Sequence, residues 1–406
     1  MMQKNNPSAT RSRLGVTIIF AINGFLYASW VSRLPRLQEQ FAVSHAELGT
    51  ALLAVSIGAI MAMPLTGFVI VRTGSRNLTT VAAVLYCLFT PGIPLMPDYG
   101  WLWIHFWLLG LWAGTLDVSM NAQAVLVERA LAKPVMASFH AWFSAGMLAG
   151  AGVATIVNRL EMSLAGHLAM AAAVCLLLLP WAARQLLRED RQATAAEAAA
   201  SPPLHKRYRP ELVGLGLIAF CCMLGEGAMA DWSANYLEKE AQAGRYWAPI
   251  GLAAFTAAMT GGRFWGDYFR LRLGDERMLR YSSMLAVGGL SLVLVKPLAI
   301  FAVPGFFLVG AGLSGIVPIA YSRAANAPGL SPGVGISVVT SIGYAGFLLG
   351  PPVIGWIGDW QGLRVGLAFV WLLLLGMMVL SFVLPAKAMT AGAPAKNPGQ
   401  LPPAAS

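Results

Sequence analysis

Long apolar stretches recur along the whole chain and constrain its fold more than any other feature. Of the 406 residues, 57% are hydrophobic and only 11% are charged, whereas soluble domains carry about 25% charged residues. A stretch of about 20 apolar residues is long enough to cross a bilayer as a helix. The strands of a membrane barrel would alternate polar and apolar residues, and that alternation is absent. The sequence therefore predicts an all-α membrane protein.

Hydropathy, with Gly, Pro and charged residues as boundaries, predicts twelve transmembrane helices. They cover residues 14–34, 47–71, 78–97, 101–126, 135–157, 164–187, 211–236, 247–269, 279–296, 299–321, 333–357 and 364–385. Lys and Arg concentrate in the two termini and in every second loop. Because basic loops stay on the cytoplasmic side, both termini are expected in the cytoplasm.

The predicted helices fall into two bundles of six, 14–187 and 211–385. Residues 188–210 are charged and rich in Ala and Pro, which predicts a cytoplasmic linker. Residues 1–13 form a cytoplasmic N-terminus, and 386–406 are expected to be a disordered cytoplasmic tail. At an offset of 200 positions, Gly110 matches Gly310 and Gly146 matches Gly346. A duplicated unit predicts two pseudo-symmetric bundles with a cavity between them.

Several motifs give the chain a family resemblance. The segments GFVIVRTGSR at 67–76 and GRFWGD at 262–267, with a long central linker, resemble the major facilitator superfamily. The patterns ASW-x-x-R-x-P at 28–35, D-x-x-x-N at 117–121, EG-x-x-x-DW at 226–232 and GPP-x-x-G at 350–355 resemble its YbjJ-type inner-membrane transporters, a branch near the fucose:proton symporters. The resemblance implies a multi-pass transporter of a bacterial inner (plasma) membrane, monomeric and binding a small-molecule substrate and protons.

Asp117 is the least expected residue of the predicted fourth span. A carboxylate at the bilayer centre costs about 2.5–3.5 kcal/mol on insertion scales, so it needs a partner or a water-filled path. In the fucose:proton symporters an acid at a similar position is linked to proton coupling, and the same role is implied for Asp117. Glu226 and Asp231 of the seventh span form a second acidic site and are also proton-coupling candidates. The alternative for all three acids is a static interhelical hydrogen bond.

Other polar residues are candidates for substrate contacts or gating. Asn23, Tyr27 and Trp30 recur at i, i+4 and i+7 and so share one helix face, which suits a sugar or polyol. Such a stripe also serves packing. The substrate-binding candidates are Asn23, Tyr27, Trp30, Asn121, His140 and Tyr344. Charged residues near span ends, including an Arg263–Asp267 pair four positions apart, are gating candidates: Arg33, Glu128, Arg129, Arg263 and Asp267.

The predicted function is secondary active transport by alternating access, with proton-coupled symport of a small polar solute. A proton-driven exporter of amphipathic compounds and a non-transporting membrane sensor are the alternatives. The sequence contains no metal-ligand pair, nucleophile motif or phosphate-binding loop, so neither an enzyme nor a cofactor is predicted. Basic residues lie between the spans rather than in a patch with aromatics, which argues against a nucleic-acid partner.

Overall fold

All regular structure in the described part of the chain is helical. A computed structural model describes residues 7–131, 135–188, 210–325, 327 and 332–383. The α-helices are α1 (Pro7–Val31), α2 (Leu34–Phe41), α3 (His45–Thr73), α4 (Ser75–Phe89), α5 (Tyr99–Leu131), α6 (Met136–Arg159), α7 (Leu164–Gln185), α8 (Pro210–Asn235), α9 (Ile250–Val295), α10 (Ala299–Leu313), α11 (Ile316–Ala325), α12 (Pro332–Gln361) and α13 (Leu363–Val383). A 3₁₀ segment, Thr90–Leu95, continues α4, and a π-helical segment, Tyr236–Glu240, continues α8. The prediction of an all-α membrane protein is confirmed.

Ten helical segments among the described residues are long and apolar enough to cross a membrane. The predicted fourth and eighth spans, 101–126 and 247–269, are helical within α5 and α9 but are not among the ten. Both carry charged residues in mid-helix, Asp117 in α5 and Arg263 in α9, which lower their hydropathy. The count of twelve spans therefore stays a prediction. The predicted N-terminal segment 1–6, linker residues 189–209 and tail 384–406 lie outside the described residues.

Local signals explain where several helices begin and end. The Ser44 side chain accepts from the backbone N–H of Glu47, and the Glu47 carboxylate accepts from that of Ser44, which forms a capping box before α3. Ser163 caps α7 by accepting from the backbone of Gly166. Gly74 ends α3 with φ 83°, and Gly274 interrupts α9 with φ 75°. These two glycines are 200 positions apart and occupy a region that side chains with a Cβ rarely adopt.

Close helix contacts also recur at this offset. Gly110 of α5 lies against the carbonyl of Val55 on α3, and Gly310 of α10 lies against the carbonyl of Phe255 on α9. A Cβ added at Gly110 or Gly310 would come within 2.0 or 2.2 Å of that oxygen. Small residues let membrane helices approach this closely. The same offset relates two guanidinium–ring contacts, Arg72 over Phe68 at 4.0 Å and Arg272 over Tyr268 at 4.5 Å.

The helices before residue 189 (the first half) pack against those after residue 209 (the second half) chiefly through α3 with α12 and α6 with α9. Backbones approach closely in the first of these pairs. A Cβ on Gly49 would lie 2.5 Å from the carbonyl oxygen of Pro351, and one on Gly355 would lie 2.4 Å from that of His45. This packing brings the polar residues of α1, α5, α8 and α12 toward the middle of the molecule.

Candidate functional site

Asp117 is hydrogen-bonded from both its own helix and the second half of the chain. The Tyr344 hydroxyl on α12 donates to Oδ2 at 3.1 Å, and the Asn121 amide, one turn along α5, donates to Oδ1 at 3.3 Å. The same amide donates to the Asp117 carbonyl at 2.8 Å. Both carboxylate oxygens therefore have a donor, and one of these donors reaches across the interface between the halves.

A second hydrogen bond between the halves has its aspartate, Asp231, in the second half and its tyrosine in the first. Asp231 lies on α8, is 6% exposed, and accepts a hydrogen bond at 3.3 Å from the hydroxyl of Tyr27 on α1. Each half thus contributes one aspartate and one tyrosine to a pair of reciprocal bonds. We call Asp117–Tyr344 and Asp231–Tyr27 the two Asp–Tyr links. A buried carboxylate without such a donor would leave its charge uncompensated.

Glu226 is joined to an arginine that also crosses the interface. The Arg263 guanidinium on α9 donates to the two Glu226 oxygens at 3.1 and 3.4 Å. Its other terminal nitrogen donates to the Ser144 hydroxyl on α6 at 2.6 Å. Sequence analysis predicted a pair between Arg263 and Asp267, but the Asp267 side chain lies outside the described residues. The described carboxylate partner of Arg263 is Glu226, 37 positions away.

These groups form one polar region in mid-helix. Tyr321 and Tyr344 lie within electrostatic range of both Asp117 and Glu226. Asp117, Glu226 and Tyr344 lie far from the helix ends and are largely, but not completely, buried. Sequence reasoning missed Ser144, whose position one turn after His140 was the available signal.

The polar groups of the predicted stripe on α1 meet three different helices, although the Tyr27 and Trp30 rings contact each other with 5.5 Å between their centroids. The Asn23 amide faces α5 and lies 3.7 Å from the sulfur of Met120, and the Trp30 indole donates to the Tyr86 hydroxyl on α4 at 3.3 Å. Of the three stripe residues, Tyr27 makes the described hydrogen bond to the second half. Regular spacing places side chains on a helix face, but different neighbours surround that face along its length.

His140 lies on α6 between the two halves. Its ring meets Phe20 edge-on, with 5.4 Å between the ring centroids. Its backbone carbonyl oxygen lies 3.5 Å from a donor nitrogen of Arg263. The described contacts of His140, a predicted substrate-binding residue, are therefore with α1 and α9.

The gating candidates of the first half make contacts within that half. Glu128 accepts from the backbone N–H groups of Val135 at 2.8 Å and Met136 at 2.9 Å, so it caps the start of α6. The gating role predicted for Glu128 stays a prediction. Arg129 occupies the last turn of α5, and Lys133 lies outside the described residues.

Arg33 follows α1 and is 3% exposed. It donates to the Met162 carbonyl, just after α6, at 3.0 Å. Burial, together with the nearby charges of Arg36 and Arg245, lowers the pKa of the Arg33 guanidinium to about 10. Its described hydrogen bond lies within the first half, and its predicted gating role stays a prediction.

Several polar bonds join the halves at the end of the molecule that carries α2, which we call the closed end. Asp359 at the end of α12 accepts from the backbone N–H groups of His45 at 2.7 Å and Ala46 at 2.9 Å. It therefore caps α3 from the opposite half. The other bonds there are Arg36 with Glu238, Lys239 with Gln38 at 2.6 Å, Tyr246 with Glu161 at 2.6 Å, and Asn158 with the Arg245 carbonyl at 2.7 Å.

Comparison with known proteins decides the family. The Major Facilitator Superfamily profile matches residues 14–332. The chain belongs to the major facilitator superfamily. An uncharacterized MFS-type transporter of Yersinia pestis is 32% identical over 363 residues, which cover 89% of this chain and 93% of the relative. Membrane protein MosC of Rhizobium meliloti is 31% identical over 371 residues, covering 90% and 88%.

Solved superfamily structures share the fold. The nucleoside transporter NupG matches with a TM-score of 0.66 at 13% identity, covering 93% of this chain and 99% of that one. A bacterial homologue of the human lysosomal transporter Spinster, inward-facing and occupied, matches with a TM-score of 0.72 at 13% identity, covering 96% and 100%. This superfamily member is a multi-pass membrane transporter rather than an enzyme.

Proposed function

We propose that the protein is a proton-coupled symporter of a small polar solute that works by alternating access between two six-helix halves. The proposal rests above all on the two Asp–Tyr links. In each, a mid-helix carboxylate of one half accepts a hydrogen bond from a tyrosine of the other half. Titratable residues at such depth are expensive and mark substrate or proton pathways in membrane transporters.

The coupling chemistry follows from the difference between a carboxylate and a carboxylic acid. Hydrogen bonds to an ionised acceptor are roughly twice as strong as those to a neutral one. The described state, with both links formed, is therefore stabilised when Asp117 and Asp231 are ionised. Protonation weakens both links and favours the opposite state, in which the closed end opens. Protonation of Glu226 has the same effect. The neutral acid no longer holds the Arg263 guanidinium in the position from which it donates to Ser144 of the first half.

The direction of coupling depends on the orientation of the chain. The basic loops predict a cytoplasmic linker and cytoplasmic termini, and in that orientation the closed end would face outward and the described state would face inward. Protons would then bind while the closed end is open and leave on the cytoplasmic side, and in the proposed symport the solute moves in the same direction. The contacts repeated 200 positions apart, at Gly110 and Gly310, support two halves of common origin, 14–187 and 211–385.

The polar region suggests a neutral or polar solute carrying several hydroxyl groups. The hydroxyl and amide groups of this region belong to Tyr27, Tyr321, Tyr344 and Asn121. The tyrosine rings also offer flat faces against which a sugar or a base can pack. We therefore propose a sugar, polyol or nucleoside, the last because a fold neighbour is described as a nucleoside transporter. Among these candidates, the resemblance to the fucose:proton symporters supports a sugar.

The test is uptake into proteoliposomes with an imposed pH gradient, acid outside. A panel of uridine, adenosine, fucose and inositol would be offered to the wild type, Asp117→Asn and Asp231→Asn, with the exposed Glu39→Gln as a control. We expect gradient-dependent uptake of one solute that a protonophore abolishes. The aspartate variants should lose it and Glu39→Gln should keep it. Unchanged uptake in both aspartate variants would overturn the coupling role. Gradient-driven extrusion would instead indicate an exporter, and binding without movement would indicate a sensor.

A further inference from the structure

A basic cavity lies outside the candidate site, at the end of the first half to which the linker is attached. It has a volume of about 650 Å³ and lies between α4, α7 and the turn that follows α3. The residues that line it are Thr73, Gly74, Arg76, Asn77, Thr80, Val81, Ala183, Arg184 and Arg188. This lining set contains three guanidinium groups, two hydroxyls and one amide, and it contains no carboxylate.

The three arginines have N–H groups that are available to donate hydrogen bonds to a ligand. The only hydrogen bond described between them runs from an Arg76 terminal nitrogen to the Arg184 carbonyl at 3.4 Å. Arg184 and Arg188 are exposed, and no ion pair with a described carboxylate is formed by any of the three within residues 7–131, 135–188, 210–325 and 332–383. Planar guanidinium groups match the oxygens of a phosphate and bind it in a bidentate manner.

The position of the cavity relative to the membrane indicates which phosphate it meets. Arg76 lies in the first turn of the candidate span Ser75–Leu95, and Arg184 lies in the last turn of Leu164–Gln185. Both of these helix ends therefore lie at the boundary between the apolar core and the headgroup region of the bilayer. Basic pockets between helices at this level bind anionic lipid headgroups.

An exposed apolar track runs from the cavity toward the bilayer core. On α7, Leu177 is 80% exposed and Trp181 is 45% exposed, and both precede Arg184 at helical spacing of seven and three residues. On α4, Val81 lines the cavity and Leu88 lies two turns further along; both are at least half exposed. The basic cavity matches the headgroup phosphate of a phospholipid, and the apolar track matches its acyl chains. A soluble phosphate would use only the basic cavity.

We propose that this cavity binds an anionic phospholipid, with the headgroup phosphate on Arg76, Arg184 and Arg188 and the acyl chains along Leu177 and Val81. The site is independent of the proposed transport mechanism. The second half supplies a natural contrast at the 200-residue offset. Glu276 stands where the first half has Arg76, and it pairs with Arg280 at 2.5 Å. At the position of Arg76 the second half therefore carries an acid in an ion pair instead of an arginine.

The experiment measures thermal unfolding of the purified full-length protein in detergent as phosphatidylglycerol is added. Phosphatidylcholine, glycerol 3-phosphate and inorganic phosphate serve as comparison ligands. The variants are Arg76→Gln/Arg184→Gln and, as a matched control on the other half, Arg277→Gln. We expect phosphatidylglycerol to raise the melting temperature of the wild type and of the control. The double variant should need at least about tenfold more lipid for the same shift, because two charge-assisted contacts are lost.

Three outcomes would overturn the proposal. The first is an equal shift in the double variant, and the second is an equal shift with inorganic phosphate or glycerol 3-phosphate, which would assign the cavity to a soluble ligand. The third is a lipid response that appears only in Glu189→Gln/Asp190→Asn, which would assign the cavity to acids of the linker. If the double variant does not fold, Arg76→Lys/Arg184→Lys keeps the charge but loses the bidentate geometry. It should then show weaker binding than the wild type, and equal binding would overturn the proposal.

Discussion

The Tyr344 hydroxyl on α12 donates a 3.1 Å hydrogen bond to Asp117 on α5, and these residues belong to opposite halves of the chain. A bond between a tyrosine and a carboxylate responds to pH because its strength depends on whether the acid is ionised. The link therefore joins proton binding to the relative position of the halves. The Asp231–Tyr27 link, at 3.3 Å, has the same chemistry with the roles of the halves exchanged.

Removing the Tyr344 hydroxyl should destabilise the described state. Tyr344→Phe leaves Asp117 without its donor from α12, and a hydrogen bond to a charged group contributes about 1.5–3 kcal/mol. We expect a lower melting temperature in detergent at about pH 8 and a smaller loss at about pH 5, where protonation makes the donor less important. Tyr281→Phe is the control, since Tyr281 is 56% exposed. An equal loss at both pH values would contradict the assignment.

The Glu226–Arg263 pair should show compensation between its two members. Either Glu226→Gln or Arg263→Gln alone leaves a partly buried charge unpaired, which costs about 3–5 kcal/mol for buried pairs. The double variant removes both charges and should recover most of the lost stability. The check is thermal unfolding of the wild type, both single variants and the double variant, analysed as a double-mutant cycle. Additive losses would show that the two groups do not act as a pair.

Bonds at the closed end should control its opening. Arg36 contacts Glu238 of the second half and Glu39 of its own helix. Glu238→Gln should therefore increase the labelling rate of a cysteine placed in the central polar region, measured with a membrane-impermeant maleimide added to right-side-out vesicles. Glu39→Gln removes the same type of charge but no bond between halves, and it should leave the rate near that of the wild type. Equal acceleration by both variants would exclude a specific role for the Arg36–Glu238 pair.

The matched glycine contacts should be equally intolerant of a side chain. Gly110→Ala and Gly310→Ala would each force a Cβ against a neighbouring carbonyl, and overpacking costs about 1–3 kcal/mol. Gly152→Ala and Gly376→Ala are the controls, because no atom lies within 4 Å of a Cβ added there. Lower melting temperatures are expected for the first pair alone. A loss at Gly110 without one at Gly310 would argue against equivalent packing in the two halves.

The sequence predicted the fold class well because hydropathy and membrane thickness leave few alternatives. It also singled out Asp117, since a carboxylate in an apolar helix has an obvious cost. It did not predict α2, a short helix between Arg33 and Ala42 that contributes to the closed end. A segment of eight residues is too short to be separated from the loop around it by periodicity.

The sequence did not identify side-chain partners that lie far apart along the chain. The four-residue spacing of Arg263 and Asp267 predicts a local pair, and this stays a prediction; nothing in the sequence indicated the described partner, Glu226, on another helix. Nor did the sequence reveal that Glu128, predicted as a gating residue, caps α6. Sequence spacing identifies residues that share a helix face; which neighbour meets that face is set by tertiary packing.

The most direct test of the proposed mechanism is a pair of spin-label distances measured by double electron–electron resonance at about pH 5 and about pH 8. One pair, Arg72→Cys with Arg272→Cys, reports on the linker end. The other, Leu160→Cys with Lys296→Cys, reports on the closed end, and the four native cysteines are buried. Acid should shorten the first distance and lengthen the second in the wild type, and Asp117→Asn/Asp231→Asn should show the acid distances at both pH values. A double variant that keeps the wild-type response to pH would contradict the account.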